Sequence, residues 1–258
     1  MTKTKNSLPG RLLIAVLLAA SLLITGCSTV PVQVGDTLEE PVFSANRIVR
    51  EDTGYVETFP DPWEGFNRTM YRFNYRFDRY VFLPAVSAYQ AVMPDFAEKG
   101  VHNFFTNFRQ ISTLINSILQ FEGAKALETT SRLLVNTTIG ILGLFDWATP
   151  MGIPYHQEDF GQTLGVWGVG SGPYLVLPLL GPSSVRDGTG LLVDAVVRNE
   201  IRNEIVDLET WQEWTWTIVD AIDTRAHVAF RYYETGSPFE YEWVRMLYST
   251  KRQLDIEK

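Results

Sequence analysis

An all-α fold is the expectation for this chain, and three features of the sequence produce it. Apolar residues recur at spacings of three and four through most of the chain after residue 60, the mark of helix faces. Proline and glycine punctuate those runs, as Pro84, Pro94, Gly140 and Gly143 do. No convincing run alternates apolar and polar residues as a half-buried strand would; the apolar piece 174–180 is the one ambiguity. With 258 residues, 45% hydrophobic and 20% charged, the chain has enough apolar material to fold.

Taken in order, the first segment reads as an address. Lys3, Lys5 and Arg11 form a positive start, and Leu12 to Ile24 is an uncharged apolar run. That run is short for a bilayer span and suits a signal peptide covering residues 1–26. It ends in Ile24-Thr25-Gly26-Cys27, which resembles a bacterial lipobox. By that resemblance the chain is cut before Cys27, and the Cys27 thiol and new amine carry a covalent acyl anchor. Ser28 follows where an Asp would favour retention in the inner membrane, so the address resembles an outer-membrane one. Residues 28–60 carry prolines and acids without a sustained period, so 27–60 reads as lipid anchor and flexible tether.

Residues 61–258 then form one helical domain. Asp61-Pro62 is the expected cap and first turn of a helix over 63–81. Trp63, Phe66, Met70, Phe73, Phe77 and Val81 lie on one face of it, and Arg68, Arg72, Arg76 and Arg79 on the opposite one. Pro84 and Pro94 are expected to start new helices, with further segments near 94–109, 111–121 and 123–141. Residues 160–185 hold no charge but contain Gly161, Gly165, Gly168, Gly170, Gly172 and Gly181 with Pro173, Pro178 and Pro182. One straight helix through Pro173 and Pro178 would lose hydrogen bonds and clash, so short helical pieces and turns are expected, half-buried or re-entrant. Helices near 187–198, 205–233 and 239–253 complete the chain.

Composition excludes several functions. A net charge of −8 opposes nucleic-acid binding by phosphate neutralisation. One Cys rules out an internal disulfide. His102, His156 and His227 are scattered, and no Cys/His cluster for structural zinc is visible. Gly168 to Pro173 lacks the last glycine of a dinucleotide fingerprint, and Val169 stands where a nucleophile elbow at Ser171 needs glycine. No Walker lysine follows. His156, Glu158 and Asp159 read as a solvated loop sooner than as a metal or acid/base site. No catalytic residue, no metal and no cofactor is expected, and the chain reads as a non-enzyme.

Two readings of helix 63–81 stand side by side. Its aromatic face packs into a core while the arginines are solvated, or it lies at a membrane interface with arginines at lipid phosphates. The tryptophans of the later helix allow the same pair. Core packing is expected for Trp211 and Trp214, and an outward role for Trp216.

Three stretches carry a family resemblance: DPWEGFNRTMYRFNYRFDRY, LLVNTTIGILGLFDWA and DFGQTLGVWGVGSGPYLVLPLLGPSSVRD. In that order they resemble the MlaA/VacJ family of outer-membrane lipoproteins, strongly from Asp61 to Asp194 and weakly beyond. Trp63 stands where Leu is usual, which leaves the aromatic face intact, and Ser237 stands where Asp is common, which leaves the role of the last helix open. The resemblance implies a flattened all-α ring of amphipathic and short broken helices lying in the inner leaflet of the outer membrane. It implies phospholipid as transported ligand, taken from the outer leaflet through an amphipathic channel. The implied partners are outer-membrane lipids, trimeric porins and a periplasmic lipid carrier linked to an inner-membrane ABC transporter. On that view Trp63, Phe66, Arg68, Met70, Arg72, Phe73, Arg76 and Phe77 form the interfacial element. Gly161, Gly165, Gly168, Gly170, Gly172, Pro173, Tyr174 and Pro178 form ring and channel wall. A structural lipoprotein that only scaffolds porins or envelope complexes is the rival reading, and a membrane phospholipase or acyltransferase a third.

Overall fold

The computed structural model describes residues 60–234 and 236–257. The signal segment, Cys27 and all of the tether but Pro60 lie outside the described residues. Among the described residues there are eight α-helices and one two-stranded hairpin.

Helix α1 (Glu64–Phe77) starts later than expected. Trp63 is its N-cap residue and makes no side-chain cap bond. Asp61 is drawn inward to Asn67, Tyr241 and Arg245. Pro84 lies in the first turn of the next helix, as expected, although no coil separates that helix from α1. A π-turn at Asp78–Phe82 joins α1 to α2 (Leu83–Val92), and the Leu83 amide reaches back to the Asp78 carbonyl. A widened turn absorbs a proline whose ring and missing N–H would disrupt a regular helix. The segments expected at 94–109 and 111–121 are one helix, α3 (Asp95–Leu119), with Pro94 as N-cap residue. Helix α4 (Gly123–Thr138) follows, and ends before Gly140.

The uncharged stretch resolves into α5 (Phe160–Val166), then strands β1 (Tyr174–Leu177) and β2 (Gly181–Ser184). The strands pair antiparallel with Tyr174 opposite Ser184 and Leu177 opposite Gly181. The ambiguous 174–180 piece is therefore a strand and its turn, with Leu179 and Gly181 at positive φ. Helices α6 (Val185–Ile205), α7 (Thr210–Ala226) and α8 (Glu240–Ile256) close the chain. The first is longer and the second shorter than their periodicity suggested.

Packed neighbours form a closed circuit: α1 on β1, β1 on α6, α6 on α3, α3 on α7, α7 on α2, and α2 back to α1 through the π-turn. Helix α8 lies against α5 and β2. Inside, a tyrosine cluster of Tyr71, Tyr174, Tyr233 and Tyr241 packs edge to face around Tyr71, at 5.6 Å to Tyr233 and 5.7 Å to Tyr241.

Candidate functional site

The helices are inverted relative to those of a soluble protein. Among the described residues, eight buried apolar side chains stand against twenty-four buried polar or charged ones. The inward stripe of α1 is Asn67, Tyr71 and Asn74, continued by Asp78 of the π-turn, while Phe66, Phe73 and the capping Trp63 face out. On α3 the buried residues are Asn107, Gln110, Ser112, Thr113, Asn116 and Ser117, with Phe105 as the apolar member. Phe121 is 91% exposed, and Leu127, Leu134, Ile141, Leu142 and Trp147 of the following segments are exposed with it. Burying polar groups while exposing large apolar ones is the informative departure, because water does not reward it.

Many of the buried polar groups are satisfied in networks, while Asn107 Oδ1, Gln110 Oε1 and Asp223 Oδ1 are among the atoms left without a partner. Asn67 donates Nδ2 to the Tyr174 carbonyl at 3.0 Å and accepts the Val176 amide on Oδ1 at 2.8 Å. Asn74 repeats the pattern two turns on, with the Leu177 carbonyl at 2.9 Å and the Leu179 amide at 2.7 Å. These two amides cover the free edge of β1 and replace a third strand. In the second motif, Asn136 accepts the amides of Trp147 and Ala148 and donates to Asp146. Arg132 grips Asp146 at 3.0 Å and the Ile153 carbonyl at 2.6 Å, so the loop after α4 is tied to its own helix. A further chain runs from Gln120 to Thr163, Asn116 and Asp194, ending on the Phe160 amide at the start of α5.

Asp187 is the hub of the last motif. It bonds Arg252 at 3.0 Å, Arg186 at 2.9 Å and the Tyr248 hydroxyl at 2.8 Å. Burial acts to raise its pKa, but the hydrogen bonds and charge of Arg252, with Arg186 and Tyr248, outweigh it and hold the carboxyl at about 2. A folded pKa below the unfolded one contributes stability above about pH 4 that is lost as pH falls through about 2. We expect the stability gap between the wild type and Asp187→Asn to shrink by about 2 kcal/mol from pH 6 to pH 2, read by urea unfolding in detergent. A gap that stays constant with pH would remove this carboxylate from the account.

The expected interfacial residues do not share one environment. Trp63, Phe66, Phe73 and Arg76 are exposed. Met70 packs on the tyrosine cluster and Phe77 lies edge-on to Phe82. Arg68 is not a free cation: it pairs with Glu64 and Glu242 and stacks 4.4 Å from the centre of the Tyr241 ring. Arg72 lies half-buried beside it, its Nε 3.4 Å from the Arg68 carbonyl.

The glycines of 161–172 divide in two. A Cβ on Gly161 would meet Arg252 and Asp187 at 2.8 Å, and one on Gly165 would meet Ile256 at 2.5 Å. These two let α8 and α6 close on α5. Gly168 and Gly172 have positive φ, and Gly168 and Gly170 border open space. Gly172 and Tyr174, with Ser171, Arg186, Tyr248 and Arg252, line a cleft of about 200 Å³. Pro173 leads into β1, and Pro178 lies in the hairpin turn.

Two tryptophan expectations are reversed. Trp211 and Trp214 are 63% and 65% exposed, whereas Trp216 is packed among Phe104, Phe105 and Phe108 at about 5.3 Å. Trp216 lies on the side of α7 that meets α3, and an apolar groove of about 340 Å³ runs along that seam. The loop at 156–159 is not simply solvated either. Glu158 is buried against Lys125, His156 meets Glu128 at 2.5 Å, and Asp159 caps α5 and pairs with Arg252. His102 and His227, far apart in sequence, stack with ring centres 3.6 Å apart.

The sequence analysis missed the polar inward stripes. The signal was present: Asn67, Tyr71, Asn74 and Asp78, like Asn107, Gln110, Thr113, Ser117 and Gln120, keep helical spacing among themselves. The apolar periodicity leaves core and membrane faces both open, whereas the polar stripe is the one that turns inward.

No described helix is long and apolar enough to cross a membrane. Outward apolar side chains and hydrogen-bonded polar interiors define a class of helical protein whose amphipathic helices are turned inside out. The chain belongs to the MlaA lipoprotein family, whose model matches residues 59–255. The intermembrane phospholipid transport system lipoprotein MlaA of Shigella flexneri is 34% identical over 177 residues, 65% of this chain and 66% of its own length. An uncharacterized protein of Rickettsia prowazekii is 36% identical over 167 residues, 63% of this chain and 64% of its own length. The chain thus spans just under two thirds of the length of these curated relatives. A solved chain from work on the structural basis for maintenance of bacterial outer membrane lipid asymmetry matches with a TM-score of 0.58 and 28% identity, over 76% of this chain and 99% of that one.

Proposed function

We propose that this protein removes phospholipids from the outer leaflet of the outer membrane and passes them toward the periplasm, maintaining lipid asymmetry. The observation that carries the reading is the inversion: polar side chains inside and apolar ones outside, on helices that do not cross a bilayer. Such a body rests in one leaflet, held there by its exposed apolar rim and the acyl groups expected on Cys27. The closed circuit of packed elements supports a ring around an amphipathic channel. A misplaced phospholipid already has its tails in hydrocarbon, and its barrier is the polar head. A polar passage beside an apolar rim lowers that barrier without a covalent step. The names of the relatives support the same substrate and system. Trimeric porins would brace the ring, and a periplasmic carrier linked to an inner-membrane ABC transporter would collect the lipid.

Outer-leaflet phospholipid content, read with a surface-acting lipid-modifying reporter, tests this in cells with and without the protein. The expected result is a rise on deletion, reversed by the wild type and not by Cys27→Ala. Unchanged lipid content together with lost porin assembly would favour the scaffold reading instead.

A further inference from the structure

Five non-glycine residues among those described hold a positive φ, and four of them are large apolar side chains turned outward: Phe121, Ile141, Leu142 and Leu179, 47% to 91% exposed. Left-handed turn positions ordinarily go to glycine or asparagine, and a bulky or β-branched side chain there is strained. Water returns nothing for that strain, because the side chain stays exposed to it. Leu179 lies in the β1–β2 turn, and the other three sit at the two ends of α4. Phe121, at φ 60°, joins α3 to α4, and Ile141 and Leu142, at 52° and 56°, follow the end of α4. Between these tips Leu127 and Leu134 are exposed on one face of α4, seven residues apart. The row makes one apolar edge along a helix of 16 residues, about 24 Å.

The charges of this stretch are all engaged. Residues 121–147 hold five charged side chains, and each has a partner: Glu122 with Lys125, Lys125 with Glu158, Glu128 with His156, and Arg132 with Asp146. The hydroxyls of Thr130, Ser131 and Thr138 turn back to the carbonyls of Ala126, Leu127 and Leu134. At the first tip the amides of Phe121 and Glu122 reach the carbonyls of Ile118 and Ser117. At the second the amides of Leu142, Gly143 and Phe145 reach those of Thr137, Asn136 and Gly140. A protein partner would meet about one hydrogen bond per 100–200 Å² and a polar rim. Hydrocarbon offers no hydrogen bonds, so it suits an edge whose polar groups are already spent on the protein itself. That difference selects lipid chains as the occupant.

We propose that the edge of α4, from Phe121 through Leu127 and Leu134 to Ile141 and Leu142, is sunk into the acyl chains of a phospholipid leaflet. The inference rests on the reading that the protein lies in one leaflet, and adds which edge enters the hydrocarbon and how the turns present it. The strained turns fix their apolar side chains outward before contact, so less ordering is left to be done on insertion. Gly140 and Gly143 make the second tip possible. A Cβ on Gly140 would strike the Phe145 carbonyl oxygen, and one on Gly143 the Asn107 side chain.

The test uses the acylated protein in vesicles of phosphatidylcholine and phosphatidylglycerol whose acyl chains carry a nitroxide quencher. The sequence has one cysteine, expected to be acylated, so an added cysteine takes a fluorescent label alone. Phe121→Cys, Leu142→Cys and, on α1, Phe73→Cys are labelled in turn. We expect the labels at Phe121→Cys and Leu142→Cys to lose roughly half or more of their fluorescence to the nitroxide and to be shielded from aqueous iodide. Leu134→Glu, at an exposed position, should keep the wild-type helix content in detergent and cut the quenching at Phe121→Cys by roughly half. Quenching at Phe73→Cys alone would overturn the inference and leave the leaflet reading standing. No quenching at any of the three would overturn both. Shielding from iodide that appears only as protein concentration rises would mean that a second copy covers the edge, and would overturn the inference as well.

Discussion

Gly190→Ala is expected to destabilise the fold by about 3 kcal/mol or more, although alanine is the better helix former. Gly190 lies inside α6, where it crosses the start of α5. Its added Cβ would meet the backbone of Gly161, with Cα at 2.7 Å, and the Phe160 carbonyl carbon at 3.0 Å. Backbone has nowhere to go without moving the helix. That start of α5 is pinned twice, by the Phe160 amide on Asp194 and by the Asp159 cap. Helix propensity alone would favour alanine by about 1 kcal/mol, so a net loss measures packing that overrides it. Gly65→Ala is the matched comparison, since nothing lies within 4 Å of its new Cβ. It should leave denaturant midpoints unchanged or slightly raised. Equal midpoints for the two variants would mean that α5 and α6 do not cross this closely.

The second large effect is expected from Asn67→Leu, a loss of about 3–5 kcal/mol. The side chain is of similar size, and the site is fully buried. What changes is the accounting for β1. The Tyr174 carbonyl and the Val176 amide lose their partners, and Asp61 loses the one on its Oδ1 while its Oδ2 keeps Tyr241 and Arg245. Each buried group left unpaired costs about 1–3 kcal/mol. Hydrogen exchange separates this from a general loss of packing. Val176 should lose protection far more than Leu179, whose amide stays on Asn74. Uniform loss of protection along the strand, or none at all, would count against the role given to Asn67.

These two sites also show how family motifs relate to physical work. Asn67 and Asn74 lie in the first motif, Asn136 and Asp146 in the second, and Gly161 and Asp187 in the third. They are the polar clamps and close crossings that make short, broken elements hold one shape. A protein that turns its apolar side chains outward in this way cannot rely on a large apolar core. Its specificity rests on satisfied buried hydrogen bonds instead, which lose heavily when one partner is removed.

By itself the sequence determined the helical class, the placement of most helices, the break in the uncharged 160–185 stretch and the family. Those properties follow from local rules: helical period, proline and glycine chemistry, and ordered motifs. Only the tertiary structure decided which face of each helix points inward. An apolar stripe predicts an amphipathic helix but does not say whether its apolar side meets a core or a lipid, so Trp211 and Trp216 changed places. The hairpin at 174–184 was likewise decided from outside, because its free edge is completed by asparagines more than a hundred residues away in sequence. The stacking of His102 on His227 had no trace in spacing at all. Contacts between distant segments depend on how helices cross, and crossing is set by packing and by burial of polar groups that no local pattern records.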